Sequence, residues 1–211
     1  MKFKIKDKEK RNFSNECEAV LADIKESGER PRLLLHACCA PCSSYCLEYL
    51  VPYFDITVFF YNPNMDTKEE FVRRSAELER FIDSSHMDVK VTIERYFPQE
   101  FYNAVRGFEA EPEGGERCFK CYELRLRASA AYAANNSLDY FTTTLSISPH
   151  KNAAVLKEIG ERLGFEYGVR FLPSDFKKKD GFKRSIELSM QYGLYRQNYC
   201  GCVYSREASP A

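Results

Sequence analysis

Five short runs of apolar, β-branched or aromatic residues are separated by stretches of helical length, and that alternation limits what this 211-residue chain can fold into. The runs are Arg32–Ala37, Asp55–Tyr61, Asp88–Tyr96, Tyr140–Leu145 and a short one near Val169–Leu172. Helices are expected at Ser14–Ser27, stopped by Gly28 and Pro31, and at Cys42–Leu50. A long one opens at the capping box Thr67-x-x-Glu70 and runs to about Ser84. A helical stretch from Pro98 to about Asn136 is broken at Pro112–Gly115, and further helices are expected at Asn152–Leu163 and Phe182–Tyr192. Strands that alternate with helices pair in parallel, because each crossover helix must pack back onto the sheet. The expectation is an α/β chain, a parallel sheet flanked by helices, with a helical insertion and a Cys-rich C-terminal tail. Ligands of such sheets sit outside the carboxyl ends of the strands.

Seven of the nine cysteines fall in three groups: Cys38-Cys39-x-x-Cys42, Cys118-x-x-Cys121 and Cys200-x-Cys202. The first group directly follows Leu33-Leu34-Leu35, so it lies in the loop that leaves a strand for a helix. Thiolates at a helix N-terminus are stabilised by the aligned backbone dipoles, which favours metal ligation. Isolated cysteines are usually small buried hydrophobes, and Cys17 and Cys46, on helix faces, are read as packing residues. Three within five residues are read as ligands. The Cys118/Cys121 spacing serves zinc, an iron–sulfur cluster or a dithiol equally well; with Cys38 and Cys39 it completes a set of four thiolates, leaving Cys42 for a second metal or a free thiol. Cys200-Gly201-Cys202 is read as a redox pair, with two further metal ligands as the alternative.

Composition excludes several classes. No segment approaches the ~20 apolar residues of a membrane span, so no membrane partner is expected. Met1–Lys8 is charged and lacks the apolar core of a secretory signal, which points to the cytoplasm, where thiols stay reduced. Lys+Arg and Asp+Glu balance at 31 each, so any nucleic-acid contact must come from a local patch rather than a global field. Neither G-x-x-x-x-G-K-[ST] nor G-x-G-x-x-G is present. Two polar motifs remain. Thr142–Lys151 ends a strand with hydroxyls and Lys151, a nest for phosphate or a simple helix cap. Asp175-Phe176-Lys177-Lys178-Lys179-Asp180-Gly181 is either a solvated loop or a grip on an RNA backbone with Asp175 facing the site. His36 is read as a hydrogen-bonded structural group and His86 as surface.

Taken in order, HACCAPCS (36–43), YNPN (61–64), Arg117-Cys118-x-x-Cys121 with Arg125-Leu126, FTTTLSISPHK (141–151), Asp175–Gly181 and YRQNYCGC (195–202) resemble one family across about residues 30–205. It is the cobalamin-independent epoxyqueuosine reductase family, QueH. The resemblance implies an adenine nucleotide alpha-hydrolase-like (PP-loop/HUP-type) fold and reduction of epoxyqueuosine to queuosine at the tRNA wobble position. It implies a [4Fe-4S] cluster on Cys38, Cys39, Cys118 and Cys121, and a second mononuclear iron or other metal drawing on Cys42 and Asp175. Catalysis would use Asp175, Cys42 and a Cys200/Cys202 redox dithiol, with electrons from an external donor. The tRNA would be held by Lys151, Lys177, Lys178 and Lys179, with Lys183 and Arg184 beside them. The domain reading is an N-terminal basic arm and helix (1–30), one catalytic domain (31–205) and a short tail (206–211). The alternatives are an ATP-dependent iron–sulfur tRNA sulfur-transferase of the same fold, disfavoured by cysteines where its ATP loop belongs, and a zinc-stabilised RNA-binding module.

Overall fold

The computed structural model describes residues 12–208; residues 1–11, where the expected N-terminal basic arm and helix (1–30) begins, and the last three residues lie outside it. Five strands form one all-parallel sheet: β1 (Arg32–His36), β2 (Asp55–Phe60), β3 (Lys90–Ile93), β4 (Tyr140–Thr143) and β5 (Arg170–Phe171). Their spatial order is β3-β2-β1-β4-β5. The chain builds outward from β1 to β3, then returns to the other side of β1 with β4. The topological switch point therefore lies between β1 and β4, where a crevice opens at their carboxyl ends.

Side-chain alternation along the strands feeds two cores. Leu33, Leu35, Val58 and Phe60 point to the face covered by α1 (Phe13–Ser27), α2 (Ala40–Leu50) and α3 (Lys68–Ser85). Leu34, Phe59 and Phe141 point to the opposite face, against α5 (Glu116–Asn135) and α6 (Ala153–Tyr167). Cys17 and Cys46 lie in the first core, as their helix-face positions suggested, and Cys17, Leu21 and Ile24 make α1 part of that core. Thr67 caps α3 through Oγ1, which accepts from the Glu70 amide at 3.1 Å. The Glu70 carboxylate is taken by Arg74 Nε at 2.6 Å, so only half of the expected box is used for capping.

Three of the differences from the sequence expectation have a local cause. α2 begins at Ala40, because Cys39 serves as its N-cap and Pro41 fits the first turn. The helical insertion splits earlier than Pro112: α4 (Gln99–Val105) ends before Gly107, whose φ of 83° breaks the helix. The tail ends in a helix, α8 (Val203–Ala208), that its cysteines had masked. Among the described residues no helix is long and apolar enough to cross a membrane.

α7 (Gly181–Gln191) packs on α2. A Cβ on Gly181 would lie 2.0 Å from the Phe176 carbonyl oxygen and 2.4 Å from the Tyr45 ring. Backbone cannot yield as a side chain does, so Gly181→Ala is expected to destabilise the fold by about 1–3 kcal/mol, the usual cost of overpacking. A lower urea midpoint with an unchanged m-value is the expected reading; an unchanged midpoint contradicts this packing.

Candidate metal centre and substrate cavity

The first cysteine loop leaves β1 at the switch point. Cys39 Sγ accepts from the Cys42 amide at 3.4 Å, and Ser43 Oγ donates to the Cys39 carbonyl at 2.8 Å, which fixes the loop over the start of α2. Cys38 is tied to the end of β4: its amide donates to Thr144 Oγ1 at 3.2 Å, and that hydroxyl donates back to Cys38 Sγ at 3.4 Å. The sulfurs of Cys38, Cys39 and Cys42 lie within 4.8 Å of one another. Hydrogen bonds from Cys39 and Cys42 pull the Cys38 pKa well below that of a free thiol. Burial, together with donation to Cys38, pushes Cys39 up to about 12. Donation to both neighbours drives Cys42 well up. Three sulfurs this close repel one another's charge, so full deprotonation of the trio is favoured around a cation. The donor set suits a thiophilic metal.

Cys118 and Cys121 occupy the first turns of α5. The preceding break is held by Arg117, whose Nη1 donates to the carbonyls of Glu109, at 2.7 Å, and Glu111. The Gly114 amide donates to Cys118 Sγ at 3.3 Å. Cys121 is buried with Phe101, Val105 and Cys202 in a small apolar cluster, and burial raises its pKa to about 11 and that of Cys202 to about 12. Cys200 lies on the other side of Gly201, whose φ of 118° suits glycine at this turn. Its sulfur accepts from Lys151 Nζ at 3.3 Å. Burial disfavours the Lys151 charge, but the neighbouring Cys200, Tyr122 and Glu113 outweigh it and raise the lysine pKa.

One side chain touches the surroundings of all three groups. Arg125, one turn beyond Cys121 and 1% exposed, donates from Nε to His36 Nε2 at 3.3 Å and from Nη2 to Asn62 Oδ1. Asn62 in turn donates to the Ala37 carbonyl at 2.9 Å. The charge of Arg125 is supported by Cys121, Cys38 and Cys200, against the cost of its burial. No carboxylate pairs with it among the described residues. A buried guanidinium without a carboxylate is costly unless another anion neutralises it. A metal–thiolate assembly is such an anion, so the residues present fit an iron–sulfur cluster.

Beside these groups opens a cavity of about 410 Å³, whose lining includes Cys38, Cys42, Arg125, Lys151, Tyr199 and Cys200, with Arg196 and Phe182. Its size falls within the range of small-molecule sites.

The family model for "Epoxyqueuosine reductase QueH" matches residues 33–208. The chain belongs to the QueH family of epoxyqueuosine reductases. It is 41% identical to the QueH of Streptococcus pyogenes over 201 residues, covering 93% of this chain and 79% of that protein. The Staphylococcus epidermidis QueH is also 41% identical, over 203 residues, with 93% and 85% covered. The Thermotoga maritima QueH is 34% identical over 179 residues, with 82% and 89% covered. Among solved structures, the U34-tRNA thiolase NcsA from Methanococcus maripaludis with its [4Fe-4S] cluster superposes with a TM-score of 0.54. It is 11% identical and the match covers 92% of this chain and 67% of that one, which shows a shared fold. The expected PP-loop-like architecture is therefore the one this QueH chain adopts.

Not every sequence candidate reaches the QueH cavity. Lys151 does. The hydroxyls expected to bind phosphate are spent internally: Thr143 Oγ1 accepts from the Leu145 amide at 3.1 Å and pairs with His36 Nδ1 at 2.9 Å. Ser146 pairs with Ser174 at 3.0 Å, and α6 is capped by Asn152 instead. His36 is the buried structural group it was expected to be. Its Nδ1 pairs with Thr143 Oγ1 at 2.9 Å, and its Nε2 lies 3.3 Å from Arg125 Nε and 3.2 Å from the Tyr61 carbonyl. Asp175, Lys178 and Lys179 line a separate recess beside Asn12 and Phe13. Asp175 binds Lys177 Nζ at 2.5 Å, and Lys179 pairs with Glu18. The close trio is Cys38, Cys39 and Cys42, and Cys118 and Cys121 are not part of it. Arg125, Arg74 and Tyr199 were named in sequence only inside motifs or not at all; the signal available for Arg125 was its i+4 position after Cys121.

Proposed function

We propose that this chain reduces epoxyqueuosine to queuosine in tRNA, and that it does so in the cytoplasm. The observation that carries the reading is the thiol-floored cavity at the switch point, with the carboxylate-free Arg125 beneath it, in a chain of the QueH family. Cys38, Cys39, Cys118 and Cys121 are our ligand set for a [4Fe-4S] cluster, and Cys42 is the thiol left for a second metal. When bound, the cluster would supply electrons one at a time and, with a neighbouring metal, a Lewis-acid contact for the epoxide oxygen.

The overall change is two electrons and two protons added, an alkene formed and water lost. The chain's residues divide the remaining work. Tyr199 and Phe182 offer ring faces against which the wobble nucleotide, splayed from the anticodon stack, can rest. Lys151 holds its ammonium proton at the cavity wall, where it can meet the oxygen that departs. Cys200 and Cys202 form the dithiol, with Cys200 facing the cavity and Lys151 while Cys202 lies among Phe101, Val105 and Cys121. Asp175 enters as the anchor of Lys177 in its separate recess. The electron donor must reach Cys200, because that sulfur lines the cavity.

The lysine loop is our candidate for the tRNA backbone, and its three lysines are not equivalent. Lys177 and Lys179 are held in ion pairs with Asp175 and Glu18. Lys178→Ala is expected to weaken tRNA binding and to reduce the slope of log K against log salt by about 0.7–1. Lys177→Ala and Lys179→Ala should change it less, since their charge is already partly neutralised. A salt titration of tRNA binding checks this; an unchanged slope in Lys178→Ala contradicts the loop's role.

A further inference from the structure

Two arginines are buried in the wall of the cysteine site, and the reaction as described uses neither. Arg125 is 1% exposed and Arg74 is 2% exposed. Arg125 interacts electrostatically with Cys121, Cys38 and Cys200, lines the cavity with Cys38 and Cys200, and is held by hydrogen bonds to His36 and Asn62. Arg74 comes from α3 on the other side. Its Nε is bonded to Glu70 at 2.6 Å and its Nη1 to the Cys200 carbonyl at 3.2 Å. Its Nη2 is buried and has no hydrogen-bond partner among the described residues. Burial opposes its charge, and the neighbouring Cys39 and Glu70 support it.

Guanidinium is the buried cation best suited to such a place: it is always charged, planar and multiply donating, whereas a buried lysine readily gives up its proton. Four thiolates outweigh the positive charge of a [4Fe-4S] cube, so a loaded site is a buried anion. Net charge and hydrogen bonds to sulfur are main levers on the reduction potential of such a cluster. Adding an electron makes the anion more negative, and a fixed cation nearby favours that step.

We propose that Arg125, assisted by Arg74, is a built-in counter-cation that raises the reduction potential of the cluster and holds the cysteine groups in register. Both are positioning residues: they act on the thiolates and not on the substrate. Arg125 has the larger role, because cysteines of all three sequence groups bear on its charge and no carboxylate among the described residues shares it. This inference rests on the cluster reading above, and its test keeps the two apart.

Wild type, Arg125→Gln, Arg125→Lys and Arg74→Gln are reconstituted anaerobically with iron and sulfide. Iron and sulfide per chain are measured, and the midpoint potential is followed by electron paramagnetic resonance. Arg125→Gln is expected to lower the one-electron reduction constant at least about tenfold, a shift of ~59 mV to more negative potential. Arg125→Lys, which keeps the charge and loses the fork, should stay near the wild-type potential and retain less iron. Arg74→Gln should shift in the same direction by a smaller amount, and it decides the question if Arg125→Gln does not fold. An intact cluster at an unchanged potential in both glutamine variants overturns the proposal. So does Arg125→Lys shifting as far as Arg125→Gln, since shape and not charge would then matter. A wild-type protein that takes up no cluster defeats the cofactor reading itself, and this inference with it.

Discussion

Cys118→Ser and Cys121→Ser are each expected to abolish iron–sulfur loading and to bring epoxyqueuosine conversion down to background while the fold survives. A serine hydroxyl is close to isosteric with the thiol but is not a competent ligand for iron at neutral pH. The helix that carries both residues does not depend on them. Its entry is held by Arg117 on two backbone carbonyls, and Leu126, Ala130 and Ala133 fix its buried face against the sheet. Circular dichroism should therefore be native, with iron and acid-labile sulfide per chain falling together. Cys17→Ser is the control. Cys17 is buried, its pKa is pushed up to about 12 by burial, and it packs with Leu21 and Ile24 in the first core, outside the cavity lining. It should cost about 1–3 kcal/mol of stability through an imperfectly satisfied hydroxyl and leave iron content unchanged. Full iron loading in both Cys118→Ser and Cys121→Ser contradicts the ligand assignment.

The second large effect concerns the tail. Cys202→Ser is expected to keep the cluster and a single round of reduction from a chemically pre-reduced protein, yet to lose repeated turnover with a dithiol donor. Each cycle consumes two electrons, and a cluster passes them singly, so a paired carrier beside it is what sustains the cycle. The geometry gives the pair two different surroundings: Cys200 faces Lys151 across 3.3 Å in the cavity wall, and Cys202 lies in the apolar cluster with Cys121. Comparing single-turnover with multiple-turnover yields, alongside iron content, separates the two roles open to this pair. Loss of iron in Cys202→Ser makes the tail a source of metal ligands and contradicts the dithiol.

Much of this architecture can be read from the chain because it rests on local rules. The alternation of Leu33, Leu34 and Leu35 between two cores follows from the strand period. The positions of Gly28 and Thr67 mark helix ends through backbone conformation and capping chemistry. The first cysteine loop falls where a parallel sheet puts its ligands. What escaped the sequence depends on distant partners. Arg125 sits in a chain with 29% charged residues, where a helical arginine ordinarily faces water; only its meeting with Asn62 and His36 makes it a core residue. The hydroxyls of Thr143 and Ser146 looked free to bind phosphate because their partners, His36 and Ser174, lie on other elements. Asp175, read as catalytic from its neighbours in sequence, shares a recess with Asn12 and Phe13 and pairs with Lys177, partners that its local sequence does not reveal. α8 follows the last cysteines closely enough that its helical pattern, six residues long, carried little signal.

The central claim is that thiols gathered at one switch point hold the iron that drives loss of an epoxide oxygen from a tRNA nucleoside. The direct measurement is anaerobic incubation of the iron-loaded protein with epoxyqueuosine-containing tRNA and a reductant, without ATP, followed by nucleoside analysis. Queuosine should appear at the expense of epoxyqueuosine, and its yield should track cluster content across preparations. Unchanged epoxyqueuosine with a fully loaded cluster and reductant in excess would contradict the account.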